Sequence, residues 1–207
     1  MCRTPVVVDD RSPRSTCLLF GFFGRSACSI SCERLTLDRI GTPLGQAVLI
    51  TDPDDRLRAL DWEGHEPRMR HLLRLHYGSS MSLASGRAPQ GTRHALEAYF
   101  AGDLEQLDGI ECRAGGTPFQ RAVWTALRTI RPGCTMSYGA IAAALGVPKA
   151  VRAVGLANGA NPISVVVPCH RVIGANGSLT GYGGDLERQR WLLAHEGASF
   201  TDRVAVS

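Results

Sequence analysis

Three absences narrow the reading of this 207-residue sequence. No apolar run approaches the ~20 residues that an α-helix needs to cross a bilayer. The one near the start, Cys17 to Phe23 (CLLFGFF), is far shorter, and with Asp9 and Asp10 before it and Arg25 after it, it lacks the layout of a secretion signal. A cytoplasmic chain with no membrane partner is expected. Regular cysteine spacing is also missing. The seven cysteines, at 2, 17, 28, 32, 112, 134 and 169, are odd in number, which argues against a disulfide framework and for a reducing compartment. Cys28 and Cys32 are followed by no matching Cys or His pair that would complete four zinc ligands, so no metal is expected.

The third absence is of acid. From Arg113 to Gly184 there is no Asp or Glu against seven Arg and Lys, in a chain whose charged residues make up 20%. Divided after residue 112, the first part holds 13 basic and 15 acidic residues and the second 10 and 4, so the net charge of +4 conceals two parts of opposite sign. An acid-free basic surface suits phosphates. A solvated basic face without a partner is the plain alternative.

What is present is an ordinary soluble core, 44% hydrophobic, with periodic text from Arg34 onward. Residues 1–33 show no periodicity and are read as an extension of unknown role. RLTLDR, QAVLIT and RLRALDW, separated by turn residues at 42–45 and 52–55, read as three short antiparallel strands. Glu66 to Tyr77 places Met69, Leu72, Leu73 and His76 at helical spacing, and Arg93 to Ala101 reads as a second helix. Thr117-Pro118 is a helix start, a capping hydroxyl followed by proline at the first helical position. Ser137 to Leu145 and Pro148 to Asn158, separated by Gly146-Val147, have the pattern of a helix-turn-helix whose second helix presents Lys149 and Arg152. Any compact helical pair has similar packing faces, so the pattern gains weight only beside the missing acids. The fold class is α+β. An N-terminal domain, 34–112, holds the three-stranded antiparallel sheet plus helices. A mostly helical C-terminal domain, 113–207, holds a winged-helix-like helix-turn-helix.

After Asn161-Pro162, the run ISVVV reads as a buried strand that delivers Pro168-Cys169-His170-Arg171-Val172 to a turn. A thiol with pKa about 8.5 is mostly protonated at neutral pH, and a cysteine nucleophile therefore needs a partner for its proton. His170 is adjacent, but neighbouring side chains of an extended strand point to opposite faces, so cooperation needs a turn in the backbone or a bridging water. Glu196, in LLAHEG, is available to hold that histidine. The plain alternative is a small core cysteine beside a structural histidine.

The segments TPFQRAVWTALRTIRPG, SYGAIAAALGVPKAVRAVGLANGANPISVVVPCHRVIG and GSLTGYGGDLERQRWLLAHEGA closely resemble the O6-alkylguanine-DNA alkyltransferases, from about Thr117 to Ala198. The likeness is looser in TPLGQAVLITDPDDRLRALDW and EAYFAGDL, and it does not include residues 1–33. It implies direct repair of double-stranded DNA, by irreversible, stoichiometric transfer of an alkyl group from O6-alkylguanine to the protein's own cysteine, with O4-alkylthymine left open. By resemblance, Cys169 is the acceptor, His170 its base through a water, Glu196 the group orienting His170, and Asn161 the hinge asparagine. Tyr138 contacts backbone phosphate and sits near the O6 atom, Arg152 fills the gap left by the flipped guanine, and DNA is bound through the minor groove. Ser137, Lys149 and Ala153 lie against DNA, while Tyr182, Gly183 and Val172 line the base pocket. A monomer without cofactor is implied. Some members carry zinc in the first domain, but only Cys32 stands near a ligand position here, with Asp52 where a second cysteine is needed. Rival readings are a damage sensor of the same fold, which lacks the acceptor cysteine, a helix-turn-helix regulator, and a Cys-His hydrolase, which uses a distant histidine.

Overall fold

A computed structural model describes residues 34–78, 81–179 and 185–204. The three strands read from the sequence are consecutive and antiparallel: β1 (Arg34–Thr42), β2 (Gly45–Thr51) and β3 (Leu57–Trp62). Gly45 closes the first turn at φ 100°, a conformation that glycine reaches without steric cost. A fourth strand, β4 (Ser82–Ser85), is an addition to the sequence reading. It pairs in parallel with β1, giving the order β3-β2-β1-β4. Its four residues, SLAS, have too little apolar alternation to reveal it.

Helix α1 (Glu66–Tyr77) has the expected bounds and sets Met69 and Leu73 on one face of the sheet, against Leu35, Leu37, Val48, Ile50 and Ala59. The other face carries the main core. There Leu49, Leu57, Leu60 and Trp62 meet Leu96 and Tyr99 of α2 (Gln90–Phe100) and Val123, Trp124 and Leu127 of α3 (Pro118–Arg128). Every residue of β3 is buried because helices cover both faces. Each large apolar side chain so enclosed contributes roughly 1.5–3 kcal/mol. The start of α3 is fixed by a capping box: Gln120 N donates to the Thr117 hydroxyl at 3.2 Å, and Thr117 N donates to Gln120 Oε1 at 2.9 Å.

The helix pair is α4 (Tyr138–Ala144) and α5 (Val151–Gly159). Ser137 caps α4, accepting from Ala140 N at 3.1 Å. The chain leaves α4 by a Schellman turn, with Val147 N donating to Ala142 O and Gly146 N to Ala143 O, and Gly146 sits at φ 73°. The next turn, closed by Ala150 N on Val147 O, delays α5 to Val151. Lys149 therefore precedes the helix, whereas the sequence reading started it at Pro148; Arg152 is its second residue and shares no helical face with Lys149. The remaining elements are β5 (Met136–Ser137) paired in parallel with β6 (Val172–Ile173), β7 (Ser178–Leu179) beside β8 (Thr201–Val204), and α6 (Leu186–His195). Among the described residues no helix is long and apolar enough to cross a membrane.

One expectation about the active-site segment needs correction. ISVVV is a tight turn: Ile163 makes one bridge to Leu60 of β3, Val166 N donates to Ser164 O, and Val165 takes φ 70°. A β-branched residue in that region costs roughly 1–2 kcal/mol. Its side chain is buried, with 1% exposed, so core contacts hold the strained backbone. A buried apolar run looks the same as a strand or as an enclosed turn, and only Pro162 and Pro168 at its ends hint at the difference. Among the described residues, Cys112 and Cys169 are free thiols.

Candidate active site

The turn from Asn161 to Pro168 delivers Cys169 to a short 3-10 helix, Cys169–Arg171. The backbone thus turns where cooperation with His170 requires it. Cys169 is 5% exposed and His170 fully buried. Asn161 holds the turn together: its Nδ2 donates to Val167 O at 2.8 Å and to Cys169 Sγ at 3.0 Å, and its Oδ1 accepts from Ile163 N at 3.0 Å. A donor aimed at sulfur favours the thiolate over the thiol.

His170 Nε2 lies 2.9 Å from Glu196 Oε1. Burial pushes the imidazole below its ordinary pKa, against the raising pull of Glu196 and with the help of Arg171, so it is neutral at neutral pH. Beside a carboxylate, the proton of a neutral ring belongs on Nε2, which leaves the Nδ1 lone pair as an acceptor. Nδ1 is buried and has no hydrogen-bond partner among the described residues. Burial alone would raise Glu196, but His170 and Arg171 outweigh it and hold the carboxyl far below the usual range. Arg171 donates from Nε to Oε2 at 2.8 Å and from Nη2 to Oε1 at 2.9 Å, and its Nη1 reaches Ile130 O. Tyr99 Oη donates to Glu196 Oε1 at 2.7 Å.

The local sequence explains why Glu196 points here. It is the C-cap of α6, and the next residue, Gly197 at φ 70°, ends the helix in a second Schellman turn, with Ala198 N on Leu193 O and Gly197 N on Ala194 O.

Cys169, His170, Glu196 and Asn161 are therefore brought together, with Val172 buried next to them in β6. Tyr138 opens α4, half-buried, with its ring against Gly155 of α5. Ser137 is occupied as the cap, and Lys149, Arg152 and Ala153 are exposed at and before the start of α5. Tyr182 and Gly183 lie outside the described residues. The Asp52 carboxylate, weighed above as a counterpart of a metal ligand, accepts from Arg58 at 2.8 Å and from Arg56 at 3.0 Å.

A family model for the DNA-binding domain of 6-O-methylguanine DNA methyltransferase matches residues 118–198. The methylated-DNA–protein-cysteine methyltransferase of Salmonella typhimurium is 54% identical over 165 residues, covering 79% of this chain and 96% of that protein. The chain belongs to the methylated-DNA–protein-cysteine methyltransferase family. Among solved structures, the O6-methylguanine methyltransferase of Mycobacterium tuberculosis superposes with a TM-score of 0.65 at 42% identity, over 79% of this chain and 93% of that one. The same organism's protein in complex with DNA gives 0.64 at 40% identity, over 79% and 92%. As a methyltransferase of this family, the protein is a DNA-repair enzyme that moves an alkyl group from DNA to a protein cysteine.

For such a methyltransferase, sequence reasoning missed four groups that shape the site: Tyr99, Arg171, Gln189 and Arg68. Gln189 Nε2 donates to His170 O and Val172 O, both at 3.1 Å. Arg68 of α1 donates to Asn161 O at 3.3 Å and to Gly159 O. Arg171 was legible as part of the PCHRV box. The others are separated from the cysteine by long stretches of chain, and no local spacing marks them.

Proposed function

We propose that the protein repairs O6-alkylguanine in double-stranded DNA by transferring the alkyl group to Cys169. The observation that carries the reading is the buried Cys169 thiol, hydrogen-bonded by Asn161 and followed by a neutral His170 whose Nε2 faces Glu196. His170 Nδ1 takes the thiol proton through a water, and the imidazolium that forms is stabilised by Glu196. Sulfur attacks the alkyl carbon in line, the S–C bond forms and the C–O bond breaks. Guanine leaves with the bonding pair on its oxygen, where the Tyr138 hydroxyl supplies a hydrogen bond. The thioether is inert to water, so each molecule acts once.

A base inside a duplex does not reach a sulfur that is 5% exposed, which requires extrusion of the damaged nucleotide. Arg152, exposed on the first turn of α5, occupies the vacated stack from the minor groove. Ser137, Lys149 and Ala153 face the backbone around it, and Val172 lines the base pocket. The protein works as a monomer in the cytoplasm, where a thiol acceptor stays reduced. The site residues lie in a C-terminal domain, 113–207, that acts with an N-terminal domain, 34–112.

The test is to incubate the protein with duplex DNA carrying one O6-methylguanine and weigh the intact chain. A gain of one methyl group, mapped to Cys169 and abolished in Cys169→Ala with DNA binding retained, is expected. Transfer persisting in that variant, with the label on Cys112, overturns the assignment.

A further inference from the structure

Glu196 receives an uneven set of donors. Among the described residues, Oε2 accepts from Arg171 Nε alone, whereas Oε1 accepts from three groups: Tyr99 Oη at 2.7 Å, His170 Nε2 at 2.9 Å and Arg171 Nη2 at 2.9 Å. Tyr99 comes from the C-terminal end of α2, 97 residues away in the chain. It is fully buried and held edge-on by the rings of Phe100 and His195, at 5.2 and 5.3 Å between centroids. Its own carbonyl lies 2.8 Å from His195 Nε2. This is a large investment of packing around one hydroxyl, and the hydroxyl ends on the oxygen that faces His170.

We propose that Tyr99 is a positioning residue for alkyl transfer, whose O–H, by donating to Glu196 Oε1, limits how strongly that carboxylate draws a proton onto His170. The inference rests on the reading of His170 as the base. Each donor on a carboxylate oxygen withdraws negative charge from it and lowers its proton affinity. With Tyr99 and Arg171 in place, Glu196 orients His170 through Nε2–H without converting it to imidazolium in the resting state, and Nδ1 stays able to accept. The charged and titratable groups facing His170 are Glu196 from the end of α6, Arg171 and Cys169 from its own turn, and Tyr99 from α2. Of these, Tyr99 alone is contributed by the first part of the chain. Its phenol is pushed far above the ordinary tyrosine range, by burial first and then by Glu196, so it remains a donor throughout the working pH range.

The experiment is the pH dependence of single-turnover methyl transfer from duplex DNA carrying O6-methylguanine, with protein in saturating excess. Wild type should lose rate towards acid as His170 becomes protonated. Tyr99→Phe keeps the ring and its packing and removes the donor, so the acid limb should move to higher pH by about half a unit. Tyr99→3-fluorotyrosine keeps the hydroxyl and makes it a stronger donor, so its limb should move the other way. Thermal melts accompany both variants, and if Tyr99→Phe does not fold, the fluorinated variant decides alone. Opposite shifts support the proposal. An unmoved limb in both, or a uniform loss of rate at every pH in Tyr99→Phe, overturns it while leaving His170 as the base. A wild-type rate with no acid limb overturns the reading of His170 and this inference with it.

Discussion

At Glu196 a carboxylate lies both in the core and at the negative end of a helix, two placements that disfavour its charge. His170 and Arg171 reverse the balance, and removing the charge strands the guanidinium. Glu196→Gln should therefore cost about 3–5 kcal/mol in urea denaturation and slow transfer by about 10²-fold. DNA affinity should change little, because no phosphate contact is lost; equal losses in rate and affinity would mark Glu196 as structural only. The pH dependence of stability has a definite sign. His170 is depressed below 6.5, so an unfolded chain binds a proton that the folded one refuses, and stability falls as pH drops below 6.5. Half-buried His76, lowered by burial, adds to the same limb. Glu196, depressed below 4.5, contributes stability that is present above 4.5 and is lost on further acidification. Melting temperatures should decline in two steps from pH 7 to pH 3, and His170→Gln should flatten the upper step. An unchanged slope in that variant rules out His170 as its origin.

Helix α5 ends against a group that comes from elsewhere in the fold. Its last carbonyls carry the negative end of the helix dipole, and Arg68 of α1 donates to Gly159 O and Asn161 O while its Nη1 lies 2.6 Å from Asp61 Oδ2. Asp61 is 1% exposed, and burial raises its pKa against the pull of Arg68, so the arginine is what keeps this carboxylate tolerable. Arg68→Met should destabilise the fold by about 3 kcal/mol. Adding Asp61→Asn should recover part of that loss, since the stranded charge is then gone. Additive losses in the double variant would show that the two side chains act separately. The same clamp fixes Asn161, whose side chain spans the strained turn at Val165 and reaches the sulfur.

Over the whole molecule, acidic groups are kept out of the stretch that forms the helix pair and the active-site turn. The face of α5 exposes Val151, Arg152, Ala153 and Leu156, a surface with cationic reach and small apolar residues. If Arg152 is a phosphate contact, Arg152→Ala should weaken binding to damaged and undamaged duplex alike and reduce the salt slope by about 0.9. As the residue that occupies the vacated stack, its loss should instead slow repair in duplex DNA far more than transfer from free O6-alkylguanine, where no flipping occurs. Comparing both rates in both proteins separates the roles. Equal slowing on the two substrates would leave Arg152 with a structural part in the site.

The sequence by itself determined whatever depends on local periodicity or short spacing. The three strands, α1, the capped start of α3 and the helix pair follow from turn residues and apolar repeats, and the PCHRV and LLAHEG boxes carry, through the family resemblance, the cysteine, histidine and glutamate that the fold brings together. The turn at Val165 was hidden because burial removes the alternation that separates a strand from an enclosed loop. The start of α5 was missed because apolar residues continue through the turn before it. Tertiary structure alone decided what meets Glu196 and Asn161. Tyr99 and Arg68 belong to helices folded against the site from the first part of the chain, and their bonds depend on how the sheet packs against the C-terminal helices, a relation that no spacing along the chain encodes.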